Sequence, residues 1–200
     1  MRKKLSLAVG ATALALLMSS CFVVQSFTVL DYTLKPGQAT KAQFTLRPSN
    51  ADNAAGVPFN GPHYQFVLLG VPTGGDLTAL TAKWGTNGLF GGPLTMAVNG
   101  GLVAAIGGAC GSFGLDLTDI TGVTWKAFIT PVKIRDRNQF ENKAIVQVGF
   151  KAQADAVSGD NWQVFGVAGD WIDDGDDTFS GGDFFACAGI ESATVQIIAA

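Results

Sequence analysis

The residues best suited to chemistry form an acidic run near the end of the chain. Six aspartates fall between positions 170 and 183, and no basic residue follows Lys151. Like charges this close repel one another unless water or a cation neutralises them, and calcium is the hard cation that takes about six to eight oxygen ligands. We therefore expect either a solvated acidic turn or a calcium site. The candidate ligands are Asp174, Asp176 and Asp183, followed by Asp173 and Asp177.

This acidic run departs from the pattern of an EF-hand calcium loop. A loop with Gly175 at its sixth position would place Ile172 and Gly181 at two ligand positions. A loop that starts at Asp174 puts Phe179 where glycine is required. Any calcium site in this run would therefore be of an irregular loop type.

Catalytic machinery has little support in the sequence. His63 is the only histidine, and the chain has no Gly-x-Ser-x-Gly elbow that could present a serine nucleophile to it. The carboxylates crowd one polar run, whereas glycosidase chemistry needs two separated acids in unlike environments. Cys-x-x-Cys spacing, which zinc sites use, does not occur. We therefore expect a protein that is not an enzyme.

The first twenty residues have the composition of an export signal. Arg2, Lys3 and Lys4 precede an uncharged apolar stretch that ends at Met18 and is followed by Ser19, Ser20 and Cys21. A segment of this kind is removed rather than folded. It is too short for a membrane span, which needs about 20 apolar residues.

The end of this signal, Leu16-Leu17-Met18-Ser19-Ser20-Cys21, resembles the lipobox of bacterial lipoproteins. The resemblance implies that residues 1–20 are removed and that Cys21 becomes a diacylated N-terminus. Phe22 in place of aspartate implies the outer membrane or cell surface as the location, in the cell envelope. The alternative is a plain secretory signal that is cut beside Ser20 or Cys21.

Length and composition limit the number of domains, the fold class and the partners of the mature chain, residues 21–200. This length is sufficient for one domain with a proper core, and we expect a single domain. Gly, Val, Ala, Phe and Thr dominate, which favours strands and tight turns over helices. Without Arg2, Lys3 and Lys4, ten basic side chains face sixteen acidic ones. A net negative chain of this kind excludes nucleic acid as a partner, because phosphate binding needs clustered Lys and Arg.

Cysteine usage agrees with export. Apart from Cys21, the chain contains only Cys110 and Cys187, and an even number of cysteines suits an oxidising compartment. We predict that these two form a disulfide. Two buried free thiols are the alternative.

Short apolar segments separated by turn residues predict the fold. Alternation predicts strands at 22–34, 42–46, 63–71, 123–129, 144–151, 162–167 and 193–198, and Asn99-Gly100 predicts a hairpin between 94–98 and 102–106. Lys35-Pro36-Gly37-Gln38 predicts a type II turn. The opening strand, Pro-Gly turn and strand resemble the first hairpin of bacterial immunoglobulin-like domains. We expect an all-β, antiparallel β-sandwich of immunoglobulin-like or jelly-roll type.

Two function classes fit this reading. The first is a non-catalytic envelope lipoprotein, tethered to a membrane by its lipid and acting as a structural or protein-interaction module. The second is a calcium-assisted carbohydrate-binding module, because Trp84, Trp125, Trp162 and Trp171 accompany the acidic run and tryptophan suits sugar stacking. Exposure distinguishes the two classes, since the glycan hypothesis needs indoles on an open face.

Overall fold

The computed structural model describes residues 22–48, 64–77, 82–86, 89–95, 97–98, 101–112, 116–129, 144–172 and 184–200. Within them the strands are β1 (Phe22–Val29), β2 (Thr33–Leu34), β3 (Ala39–Pro48), β4 (Tyr64–Pro72), β5 (Gly75–Asp76), β6 (Ala82–Thr86), β7 (Leu89–Thr95), β8 (Ala97–Val98), β9 (Val123–Ile129), β10 (Ala144–Ala152), β11 (Asn161–Ile172) and β12 (Phe184–Ile197). The helix α1 (Gly101–Ser112) and a short 3₁₀ helix (Leu117–Asp119) lie between β8 and β9.

The strands form two sheets that face each other. The first sheet has the order β1-β3-β10-β6-β7, with β5 added beside β10, and the second has the order β2-β12-β11-β4-β9-β8. Every described pair is antiparallel except the short parallel pair β2–β12. The expected all-β sandwich is therefore confirmed, with one parallel contact that the sequence did not predict.

The main core fills the space between the sheets. The first sheet contributes Phe27, Phe44 and Val146, and the second contributes Val67, Leu69 and Trp162. Removal of such apolar side chains from water is the dominant favourable term in folding. The ring of Phe27 lies 4.9 Å from that of Phe44, centroid to centroid, and both rings occupy the space beside Gly166.

Strand β4 is buried on both faces. Val67, Leu69 and Val71 belong to the main core, whereas Phe66 and Leu68 belong to a second cluster on the other side of the sheet. A strand buried on both faces reads as a continuous apolar run instead of an alternating one. This explains the uninterrupted apolar sequence from Phe66 to Leu69.

The opening strand predicted at 22–34 is divided between the two sheets. β1 pairs with β3 in the first sheet, whereas β2 pairs with β12 in the second. The crossing is fixed at Asp31, whose N–H donates to Thr40 Oγ1 at 3.1 Å while Thr40 Oγ1 donates to Asp31 Oδ2 at 2.8 Å. The type II turn that follows is confirmed, since Gln38 N–H donates to Lys35 O and Gly37 has φ of 79°.

The hairpin predicted around Asn99-Gly100 is wrong, because residues 102–106 lie in α1. Val103, Ile106 and Cys110 are spaced three and four residues apart, which places them on one helix face. Ile106 and Cys110 are completely buried there and Val103 packs against them. Burial of this face on the second sheet outweighs the glycine content that favoured a turn.

The two ends of the sandwich are defined by its strand directions. β1 leads into β2, and β2 pairs with Gln196 and Ile197, the last two residues of β12. The strands β1 and β12 therefore finish at one end of the sandwich and begin at the other. We call the end where they begin the N-terminal end. The described strand boundaries at this end are Phe22, Pro48, Tyr64, Thr86, Leu89, Ala97, Ile129, Ala144, Ile172 and Phe184. The opposite end, which we call the turn end, carries the segments 30–38, 73–77 and 153–160.

Candidate functional site

A second cluster, which we call the outer core, covers the outer face of the second sheet. The sheet contributes Phe66, Leu68, Ala127, Val167 and Trp171. The helical segment contributes Ile106, Cys110 and Leu117. Helix α1 therefore adds a third layer to one side of the sandwich.

Cys110 is the chemically distinctive member of the outer core. Its side chain is completely buried and is engaged in a disulfide bond. Cys187 occupies the register position of β12 opposite Gly169 of β11. The side chain of Cys187 lies outside the described part of the structure, so its pairing with Cys110 stays a prediction.

A bulge in β12 directly follows Cys187. The register of β11 and β12 shifts between Val167 and Gly169, and the two β12 residues passed over include Gly189. The φ of Gly189 is 124°, a backbone conformation that side chains other than glycine rarely adopt. The bulge interrupts the regular alternation of side chains along β12, close to the face of the second sheet that α1 covers.

Leu117 is held in the outer core by a capped 3₁₀ turn. Asp116 Oδ1 accepts hydrogen bonds from the Thr118 hydroxyl at 2.6 Å and from the Thr118 N–H at 2.8 Å. These two bonds, the hydroxyl first, stabilise the carboxylate and lower the pKa of Asp116 from its ordinary value of 3.8. The cap fixes the turn that places Leu117 under α1.

Two of the four tryptophans are interior residues. Trp162 is 4% exposed in the main core and Trp171 is 3% exposed in the outer core. Trp171 stacks on Tyr64 with ring centroids 4.6 Å apart. Neither indole can offer a face to a sugar. The side chain of Trp84 is not among those described.

Trp125 is half-buried on the outer face of the second sheet. A Cβ added to Gly70 would lie 2.9 Å from two atoms of the Trp125 ring, so the indole lies directly against the β4 backbone. The ring centroid of Phe165 lies 6.2 Å from that of Trp125. The Trp125 Nε1 is buried and has no hydrogen-bond acceptor among the described residues. One partly covered indole does not form the open aromatic face that the glycan hypothesis requires.

The acidic run lies largely beyond the described residues. Asp170 is in β11, at the register position opposite Gln65 and Ala186. Asp173, Asp174, Asp176, Asp177 and Asp183 fall in the undescribed segment between Ile172 and Phe184, as Cys21 and His63 fall in others. In the described ranges, no three His, Cys, Asp or Glu side chains form a group that could hold a metal ion. The calcium expectation stays a prediction.

Exposed apolar side chains cluster at the turn end, a feature that the sequence pattern did not single out. Leu30 is 49%, Tyr32 is 56% and Val157 is 63% exposed. Both loops that carry them are bound to the end of β12: Gln196 N–H donates to Tyr32 O, and Gly159 N–H donates to Ile197 O. The two loops therefore present apolar groups from one end of the molecule.

The described helices do not include one of the length and hydropathy that a membrane span requires.

Comparison with known proteins identifies no family, since no family model and no curated protein matches the chain. Among solved structures, the chain is similar to AvmM, which catalyses macrocyclization in alchivemycin A biosynthesis, with 9% identity, a TM-score of 0.48 and 90% of each chain covered. It is also similar to the T6 backbone pilin of serotype M6 Streptococcus pyogenes, with 10% identity, a TM-score of 0.38 and 88% of this chain covered. The chain spans 36% of that pilin's length.

A third similar structure is the collagen-binding domain from a Staphylococcus aureus adhesin, with 10% identity, a TM-score of 0.35, and coverage of 89% of this chain and 98% of that one. Similarities at this level carry no argument about what the protein does.

Proposed function

We propose that the protein is a non-catalytic envelope lipoprotein, in which an acylated Cys21 holds the β-sandwich at the outer membrane or cell surface and the turn end engages another envelope protein. The observation that carries this proposal is the opposition of the two ends. β1 begins at Phe22, next to Cys21, whereas Leu30, Tyr32 and Val157 are exposed at the far end. Exposed apolar groups gathered at one end of a soluble domain are typical of an interaction surface.

The lipid would supply a durable anchor. Each methylene buried in the bilayer contributes about 0.8 kcal/mol, and two acyl chains hold a protein far more firmly than a single myristoyl chain does. A structural module suits this attachment, because residence at the membrane requires no chemistry from the folded domain.

We also infer that Cys110 and Cys187 form one disulfide. Helix α1 packs against β12, and Cys187 stands opposite Gly169, between the register positions of the outer-core residues Val167 and Trp171. If Cys21 carries lipid, Cys187 is the remaining partner for Cys110 within the chain. An exported protein would keep such a bond, because disulfides persist in oxidising compartments.

Membrane fractionation tests the anchor. We expect the natural protein in the membrane fraction, with an intact mass that shows residues 1–20 removed and acyl chains added to Cys21. The Cys21→Ser variant should be released in soluble form with an unchanged unfolding temperature. A soluble natural protein without acyl chains, or one that retains Met1, would contradict the proposal.

Crosslinking in intact cells tests the interaction surface. A photoreactive amino acid replaces Tyr32 in one variant and Ser192, an exposed residue of β12 away from the turn end, in the matched control. We expect a discrete adduct with an envelope protein from position 32 and none from position 192. The same adduct from both positions, or from neither, would remove the turn end as the partner surface.

A further inference from the structure

One of the two loops that expose apolar side chains at the turn end carries a carboxylate between them. Asp31 stands between Leu30 and Tyr32 in the chain, and all three side chains are exposed. Thr40 Oγ1 donates to Asp31 Oδ2 at 2.8 Å and accepts from the Asp31 N–H at 3.1 Å. These bonds hold the carboxylate in place, so negative charge is fixed next to two exposed apolar residues.

The second loop repeats this arrangement. Val157 has Asp155 two residues before it and Asp160 three residues after it, and all three side chains are exposed. The Asp160 N–H donates to Val157 O at 3.3 Å, which closes the chain between them into a turn. Each large exposed apolar residue of the turn end therefore lies within three residues of an exposed carboxylate.

Backbone hydrogen bonds join the two loops into one surface. The Gln196 N–H donates to Tyr32 O and the Ile197 N–H donates to Asp160 O, each at 2.8 Å, so the loops flank the last residues of β12. Neighbouring strands lie about 4.8 Å apart, which places the backbones of Tyr32 and Asp160 roughly 10 Å from each other. A surface that is already ordered in this way loses little conformational freedom when a partner binds.

Negative charge exceeds positive charge on this surface. Asp76 pairs with Lys151, with Nζ and Oδ2 3.2 Å apart, and the pair adds no net charge. The exposed charged side chains of the turn end are Lys35 and the aspartates Asp31, Asp155 and Asp160. Three carboxylates against one ammonium leave a net charge of minus two around the exposed apolar groups.

From these observations we propose that the turn end binds a basic protein segment, in which arginine or lysine side chains accompany apolar ones. The inference rests on the interaction surface proposed above and adds the chemistry of its partner. Carboxylates beside an apolar contact steer an oppositely charged partner and exclude wrong ones. Arginine fits this surface best, because its guanidinium pairs with carboxylates and also stacks on an exposed aromatic face such as that of Tyr32.

The same charge disfavours two other occupants. A symmetric contact between two copies of the chain would place the same patch on both sides, so the excess carboxylates of one copy would face those of the other. The anionic headgroups of a membrane surface would be repelled in the same way. A basic protein segment is the occupant that satisfies both the charge and the apolar groups.

Photocrosslinking with charge variants tests the chemistry of the partner. An aromatic photoreactive amino acid at position 32 is combined with Asp155→Asn and Asp160→Asn in one variant. The matched control combines it with Asp119→Asn and Glu191→Gln, which remove two exposed carboxylates outside the two apolar loops. We expect the adduct yield to fall about three- to tenfold in the first variant and to change less than about twofold in the control, because exposed ion pairs contribute modestly.

The identity of the adduct and its response to salt complete the test. Mass spectrometry should show that position 32 is joined to a peptide with a net positive charge. In gently lysed cells, the adduct yield should fall as sodium chloride is raised from about 0.05 M to about 0.5 M, because salt screens exposed charges. The unfolding temperatures of both variants should match that of the natural protein, so that a lost adduct reports on the surface and not on folding.

The outcomes separate this inference from the proposed surface itself. An adduct that persists in Asp155→Asn with Asp160→Asn, or that is lost equally in the control, would overturn the basic partner alone. An adduct with an acidic or uncharged peptide, with a second copy or with a phospholipid would also overturn it. Absence of any adduct from position 32 would overturn the proposed interaction surface as well.

Discussion

Gly166 shows how a single residue sets the packing of the two sheets. A Cβ at this position would lie 2.5 Å from the ring of Phe27 and 2.6 Å from that of Phe44. Both rings belong to the tilted pair at the centre of the main core. The missing side chain is what allows these two aromatic residues to reach β11.

Substitution of Gly166 should therefore be harmful. We expect Gly166→Ala to lower the free energy of unfolding by about 1–3 kcal/mol, because the added methyl overpacks a filled core. Urea denaturation of the disulfide-intact protein measures this change. In Gly108→Ala, the matched control, the new Cβ meets nothing within 4 Å on α1, and the change should stabilise by about 0.5–1 kcal/mol. Equal effects at the two positions would contradict this account of the core.

Asp116 should titrate at a lower pH than an ordinary aspartate. The hydroxyl and N–H of Thr118 lower its pKa, so the cap contributes stability above the ordinary pKa and loses it as the pH falls through the lowered value. A ¹³C NMR titration of the Asp116 carboxyl should show this shift, and Thr118→Ala should return the pKa towards 3.8. An unchanged titration in Thr118→Ala would show that the hydroxyl bond does not form in solution.

Calcium binding is a separate prediction about the acidic run. If Asp174 and Asp176 bind calcium, excess calcium should raise the unfolding temperature of chelator-treated protein, because a ligand that binds only the folded state stabilises it. Asp174→Asn with Asp176→Asn should abolish the increase, and Asp155→Asn, at an exposed turn residue, should retain it. An unfolding temperature that is independent of calcium would identify the run as a solvated turn.

Helix α1 has little in its own sequence that would stabilise it. It contains no charged residue, and among its described side chains Ile106 and Cys110 are the fully buried ones. Isolated helices of this length are marginal in water. The disulfide at Cys110 therefore supports an element whose own sequence supplies little stability.

Removal of the proposed Cys110–Cys187 bond should destabilise the fold. The loop that it closes would contribute about 4–5 kcal/mol on the chain-entropy model. We expect Cys110→Ala to lower the unfolding temperature strongly and to match Cys187→Ala, since either change opens the same bond. Cys21→Ser should leave that temperature unchanged. If Cys187→Ala has no effect, Cys110 has a different partner.

The elements also show what local sequence can predict. β9 was predicted at 123–129 and β10 at 144–151, close to the observed Val123–Ile129 and Ala144–Ala152. These two strands could be predicted because their β-rich composition and their flanking turn residues determine strand structure within the segment itself. The division of β1 from β2 could not be read in this way, because it depends on the Asp31–Thr40 hydrogen bonds with the next strand. Helix α1 was missed although the spacing of Val103, Ile106 and Cys110 signalled it.

The candidate sites also differ in how far the local sequence could predict them. The buried apolar run of β4 was readable as a core strand, but the outer core under α1 depends on a tertiary contact that no local pattern reveals. The exposure of Leu30 and Tyr32 arises because the chain crosses between sheets at this point. Alternation alone assigned both residues to faces of one long strand.

At the scale of the whole molecule, strand direction governs how force would pass through the protein. If Cys21 carries lipid, a pull between that lipid and a partner bound to the 153–160 segment of the turn end would act along β1, parallel to the strand axis. The hydrogen bonds that join β1 to β3 run across that axis, so the bonds from Phe22 to Val29 would be sheared together instead of peeled one at a time. An anchor placed at the other end of β1 would load those bonds singly, and the same sandwich would come apart under a much smaller tension.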